Sequence, residues 1–66
     1  MLIRINGQQH NLLGPVNIQS LLEDLGYRSQ FVAVAVNSHC IPRLKFVDFT
    51  IHANDEIEIL APMAGG

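Results

Sequence analysis

Sixty-six residues allow one domain at most, and a chain of that size buries only about 60% of the surface its unfolded form exposes, which leaves little structure for a deep catalytic cleft. With 48% hydrophobic and 15% charged residues and a formal net charge of −2, the chain is globular rather than disordered, and its four dispersed cations (Arg4, Arg28, Arg43 and Lys45) argue against a nucleic-acid partner. The single cysteine, Cys40, excludes an internal disulfide, no signal-peptide pattern opens the chain, and the longest apolar run, FVAVAV, is too short for a membrane span, so the expected location is cytoplasmic.

The first element is a strand. Met1, Ile3 and Ile5 alternate with Leu2, Arg4 and Asn6, the period of a sheet with one buried face. Asn6-Gly7 follows, a type I′ hairpin signal because both residues tolerate positive φ. Residues 8–13 are the returning strand, and Gly14-Pro15 then punctuates the chain.

A helix comes next. Ile18, Leu21, Leu22 and Leu25 fall at i, i+3, i+4 and i+7, along one face of a 3.6-residue period. Asn17 stands where an N-cap belongs, and Gly26 is placed to end the helix in the left-handed conformation. A helix of about two turns does not hold without packing onto a sheet.

Residues 31–36 read as a central strand, with the β-branched Val32, Val34 and Val36 alternating with Ala33 and Ala35. Residues 37–40 form a turn. Ile41-Pro42-Arg43 is confined to a short edge strand, because proline cannot donate to an interior ladder. Residues 44–51 carry Phe46, Val47, Phe49 and Ile51 at irregular spacing and read as a helical turn plus packed loop. Asn54-Asp55 is a turn, and residues 56–60 alternate again, with Ile57 and Ile59 inward and Glu58 and Leu60 outward.

A hairpin followed by one helix cannot bury its apolar face unless the later strands join the same sheet. The expected architecture is therefore α+β: one mixed sheet clasping one main helix, over a single domain of residues 1–66 with a flexible tail at 61–66. If the last strand lies beside the first, parallel and central, the topology is a β-grasp, the shape of ubiquitin. On that arrangement Arg4, Ala33, Ala35, Glu58 and Leu60 share the face away from the helix. Small alanines bordered by Leu60 leave a shallow apolar platform there, the kind of contiguous surface that marks an interface.

Three pieces of sequence, VAVAVNSHCIPR (residues 32–43), NDEIEIL (residues 54–60) and the closing Gly65-Gly66, together resemble the thiamine-biosynthesis sulfur carriers, the ThiS family. The resemblance covers essentially the whole chain. The family's small/apolar alternation, Asn and Pro-Arg correspond to Val34, Ala35, Val36, Asn37, Pro42 and Arg43, and its following aromatic to Phe46. Asn54 stands where the family usually has Gly, an exchange that preserves a positive-φ turn. Gly14-Pro15-Val16-Asn17 replaces the family's Gly-x-Thr opening of the helix, and Ser20 offers no capping-box carboxylate.

The resemblance implies a protein cosubstrate rather than an enzyme, a ubiquitin-like carrier with no bound cofactor. In such carriers a partner, a ThiF-like adenylating enzyme, uses ATP and Mg²⁺ to make an acyl-adenylate at the last glycine, here Gly66. Sulfur from a donor such as a cysteine desulfurase then displaces AMP, and the thiocarboxylate supplies a ThiG-like thiazole synthase. A terminal carboxylate, with a pKa of about 3.5, is ionised near neutral pH and serves as the oxygen nucleophile. Gly65 and Gly66, without Cβ atoms, suit a narrow channel, and Ala64 continues the small-residue tail. Leu60 and Met63, with Ala33, Ala35, Glu58, Arg4 and Arg43, are the expected docking residues.

Other readings attach to the same residues. The small subunit of molybdopterin synthase also ends in Gly-Gly, and a non-reactive ubiquitin-like binding module would carry the glycines incidentally. Cys40 is by default a packing residue. His10, His39 and His52 lack the short spacing of a metal site, so no metal is expected.

Overall fold

The computed structural model describes residues 1–61. Strand β1 (Leu2–Ile5) buries Ile3 and Ile5 and exposes Leu2 and Arg4, as the alternation requires. At Asn6-Gly7 the φ angles are 51° and 82°, and the chain returns antiparallel as β2 (Gln8–Asn11). This strand is polar throughout (QQHN) and ends two residues earlier than the sequence pattern implies. Its final neighbours, Leu12 and Leu13, fall beyond the Leu2–Asn11 pair that closes the ladder.

Helix α1 (Ile18–Leu25) is capped at both ends. The Asn17 side-chain oxygen accepts the Ser20 N–H at 2.7 Å from an extended backbone, the usual N-cap arrangement. At the other end Gly26 has φ 86° and donates to the Glu23 carbonyl, while Tyr27 N–H donates to the Leu22 carbonyl. Those two bonds are the Schellman pair, which satisfies carbonyls the helix leaves open. Ile18, Leu21 and Leu22 are buried, whereas Leu25, the last residue of the helix, is 38% exposed.

The next strand is shorter than the valine pattern implies. Ser29–Phe31 form a 3-10 turn, and β4 runs Ala33–Val36, leaving Phe31 exposed rather than in the sheet. Asn37 and Ser38 take positive φ (50° and 70°) in a tight hairpin, so β5 is His39–Ile41. The edge strand thus sits two residues before the Ile41-Pro42-Arg43 expected, and Pro42 instead leads a second 3-10 turn, Arg43–Lys45. Proline excludes itself from the ladder and starts that turn with its fixed φ, here −59°.

The segment after it is a helical turn plus loop with one addition. A two-residue strand β6 (Thr50–Ile51) pairs antiparallel with β3 (Val16–Asn17), a miniature second sheet at the head of α1. The crossing also completes the helix N-terminus: the Phe49 and Phe46 carbonyls accept the N–H groups of Ile18 and Gln19. Strand β7 (Glu56–Leu60) then enters the main sheet after the Asn54 turn, where φ is 69°.

The main sheet has the order β2-β1-β7-β4-β5, with β1 and β7 parallel and every other pair antiparallel. The helix-side core comprises Ile3, Ile5, Val32, Val34, Val36, Ile57 and Ile59 from the sheet side, Ile18, Leu21 and Leu22 from α1, and Phe46 and Ile51 from the crossing. Phe46, 1% exposed, is the largest of the fully buried side chains. No helix among the described residues is long and apolar enough to cross a membrane.

Candidate functional site

The side of the sheet opposite α1 is built by the odd–even rule of a pleat. On β7, Glu58 and Leu60 point away from the core; on β4, Ala33 and Ala35 do; on β1, Arg4 does. Register brings them together: Ala33 lies opposite Leu60, Ala35 opposite Glu58, and Cys40 extends the second row across β5. Arg4 stands in register with Glu56 on the parallel side. Leu60 is 69% exposed, at the last residue of the sheet before the chain leaves it.

A shallow depression of about 380 Å³ lies on the β1–β7 side, lined by Arg4, Asn6, Gly7, Glu56, Ile57 and Glu58. Its lining mixes one cation with two carboxylates and has no nucleophile. Among the described residues no group of three His, Cys, Asp or Glu side chains is arranged to hold a metal ion. Cys40 is exposed and free, and the His39 ring nitrogen Nδ1 lies 3.0 Å from the Asn37 carbonyl.

Arg43 is placed apart from the platform. Its Nη2 donates to the Gln30 carbonyl at 3.1 Å, tying the second 3-10 turn to the first. Met63, Ala64, Gly65 and Gly66 lie outside the described residues.

Two asparagines, which the sequence marks only as turn formers, hold β7 at its two ends. At the start, Asn37 Oδ1 accepts the Glu56 N–H (3.0 Å), Asn37 N–H donates to the Glu56 carbonyl (2.7 Å), and Asn37 Nδ2 donates to Asp55 (3.0 Å). At the finish, Asn6 Oδ1 accepts the Ile59 N–H (2.8 Å) and Asn6 Nδ2 donates to the Ile59 carbonyl (3.2 Å). The signal available in sequence was the choice of Asn over Gly at positive φ, since only Asn brings a carboxamide to the turn.

Parallel β1–β7 pairing at the centre of a mixed sheet, crossed by one helix and ending in an exposed strand terminus, defines a ubiquitin-like β-grasp protein. The ThiS family model matches residues 3–66. The chain belongs to the ThiS family. The crystal structure of a thiamine biosynthesis protein (ThiS) from Geobacter metallireducens superposes with a TM-score of 0.85 at 29% identity, over 100% of both chains. An uncharacterized protein, ycf40, of Porphyra purpurea is 34% identical over 97% of this chain and 90% of its own length. A thiazole synthase of Paramagnetospirillum magneticum is 32% identical over the whole of this chain, which spans 20% of that protein.

Proposed function

We propose that this protein is a sulfur carrier, a protein cosubstrate whose Gly66 carboxylate becomes a thiocarboxylate for thiazole formation. The observation that carries the reading is the ThiS family match, which runs through Gly65 and Gly66. The likeness of the whole chain to one fifth of a thiazole synthase supports thiazole chemistry as the destination.

The chemistry divides between carrier and partners. A Gly66 carboxylate oxygen attacks the α-phosphorus of ATP on a ThiF-like adenylating enzyme, forming the O–P bond of an acyl-adenylate as pyrophosphate leaves. Mg²⁺, held by that enzyme with the nucleotide, offsets the phosphate charge. Hydrosulfide, or a persulfide raised by a cysteine desulfurase, then adds at the Gly66 carbonyl carbon. The C–O bond to AMP breaks, and AMP departs with the electron pair. A persulfide route leaves an acyl disulfide, which a thiol must reduce to release the thiocarboxylate. A ThiG-like thiazole synthase accepts the sulfur.

The carrier contributes access and a place to bind. Gly65 and Gly66 present no Cβ to a narrow site, so the backbone approaches the nucleotide closely. Leu60, Ala33 and Ala35, with Arg4 and Glu58 beside them, form the docking platform. Met63 extends this set, and Arg43, which lies apart from the platform, is proposed as a separate contact.

The test is intact-mass analysis after incubation with ATP, Mg²⁺, a ThiF-like enzyme and a sulfur donor. Exchange of one carboxyl oxygen for sulfur, lost on deletion of Gly66, is the expected result. An unmodified protein alongside a partner shown to be active would falsify it. Supplying the product to a thiazole synthase or to a molybdopterin-forming system identifies the acceptor pathway.

A further inference from the structure

The central strand β7 loses its parallel neighbour before it ends. β1 pairs with β7 at Arg4–Glu56 and Ile5–Ile57, and the last main-chain bond between them runs from Asn6 N–H to the Ile57 carbonyl at 2.9 Å. There the chain turns away into the β1–β2 hairpin. Along a strand, backbone groups two residues apart point to the same side. Because the Ile57 carbonyl faces β1, the Ile59 N–H and carbonyl face the side that β1 has just vacated. Glu58 and Leu60 turn theirs toward β4, opposite Ala35 and Ala33.

Asn6 fills the gap with its side chain. One carboxamide meets both polar groups of Ile59, acceptor to donor at 2.8 Å and donor to acceptor at 3.2 Å, across 53 residues of sequence. It acts as one more residue of β1 without lengthening the strand. No other hydrogen bond reaches Ile59 from the β1 side among the described residues. Beyond Ile59 only the Leu60–Ala33 pair remains before the chain leaves the sheet.

We propose that Asn6 is a positioning residue for sulfur loading, fixing the point and direction from which the segment bearing Gly66 departs. This rests on the sulfur-carrier reading. Without the carboxamide, the end of β7 frays on the β1 side, and that freedom must be lost again each time the carrier docks. Immobilising one freed backbone residue corresponds to about a tenfold weakening of productive docking. The loss falls on the KM for the carrier, while kcat, set by chemistry at Gly66 once it is seated, stays near the wild-type value.

Two variants separate the clamp from the turn. Asn6→Gly keeps positive φ and the hairpin but deletes the carboxamide. Asn6→Asp keeps the acceptor for the Ile59 N–H but sets an oxygen against the Ile59 carbonyl. Amide hydrogen exchange is read on the free proteins, and steady-state adenylation with a ThiF-like enzyme, varying carrier concentration, gives KM and kcat.

The expected result is about tenfold faster exchange at Ile59 in Asn6→Gly with α1 and β4 amides unchanged, and a KM raised about tenfold at constant kcat. Asn6→Asp gives a smaller change of the same sign. Unchanged Ile59 exchange overturns the clamp, and faster exchange with unchanged KM overturns its positioning role. If Asn6→Gly does not fold, the same two readings of Asn6→Asp decide. Failure of the wild-type protein to be adenylated at all counts instead against the sulfur-carrier reading, and the exchange measurement still judges the clamp.

Discussion

Ile57 and Glu58 are consecutive in β7, yet Ile57 is 2% exposed in the core and Glu58 faces water beside Ala35. The same contrast holds across the sheet: Val34 and Val36 pack under α1 while Ala33 lies open on the other side. One face is crowded with branched side chains and a buried phenylalanine. The other carries alanines, scattered charge and two exposed leucines, Leu2 on β1 and Leu60 at the end of β7. Substitutions on the first act through packing, whereas on the second they leave the ladder intact. A small chain with one helix can thus keep its stability on one side and leave the other free for recognition.

The sharpest way to break the comparison lies at Phe46. Phe46→Ala empties the largest buried site and is expected to cost about 3–5 kcal/mol, enough to unfold much of a domain this small. Urea denaturation followed by circular dichroism measures it. A loss below about 1 kcal/mol would mean that the crossing is not part of the core.

Gly26 and Asn17 test the helix that covers the crowded face. A side chain at φ 86° is strained even though open space surrounds the site, so Gly26→Ala is expected to lower stability by about 1–2 kcal/mol. Gly26→Asn should recover part of that loss, because Asn tolerates this region. Asn17→Ala removes the acceptor for Ser20 N–H and is expected to cost about 1 kcal/mol, with Asn17→Asp close to wild type. Thermal melts of the four variants rank them, and equal melting of Asn17→Ala and wild type would show that the crossing's carbonyls suffice at this helix end.

Much of this fold is legible in local pattern. The alternations in β1 and β7, the Asn6 and Asn54 turns with their positive φ, and both helix caps follow from residue chemistry over a few neighbours. Most of the misplacements come from partners distant in sequence, and one from a turn tighter than expected. Phe31 extends the apolar run of the valine strand but is held in a 3-10 turn, with Arg43 bonding the neighbouring Gln30 carbonyl. Cys40 looks like turn and is strand, because Asn37 and Ser38 close the hairpin in two residues. β3 and β6 are two residues each, and neither has a periodicity before the other pairs with it. At the candidate site the outward set on β1, β4 and β7 follows from the pleat alone. The two asparagine clamps on β7 do not, since their contacts span 19 and 53 residues.

The smallest expected change in stability belongs to Leu60→Glu, and it is the variant that most directly divides the two faces. The Leu60 side chain is 69% exposed, so its replacement removes little buried surface. Its backbone pairing with Ala33 does not depend on the side chain. Glu58, two residues back on the same face, adds mild like-charge repulsion. Stability should therefore stay within about 0.5 kcal/mol of wild type. Binding should not. A carboxylate buried against an apolar partner surface loses hydration without gaining a counter-charge, so affinity for the adenylating enzyme is expected to fall at least tenfold, about 1.4 kcal/mol. Calorimetric titration reads the affinity and a urea melt reads the stability on the same preparation. An unchanged affinity removes Leu60 from the docking surface. A melt lowered by several kcal/mol would place this residue among the groups that hold the fold, and the division between a packed face and a recognition face would end at β4 instead of reaching the end of β7.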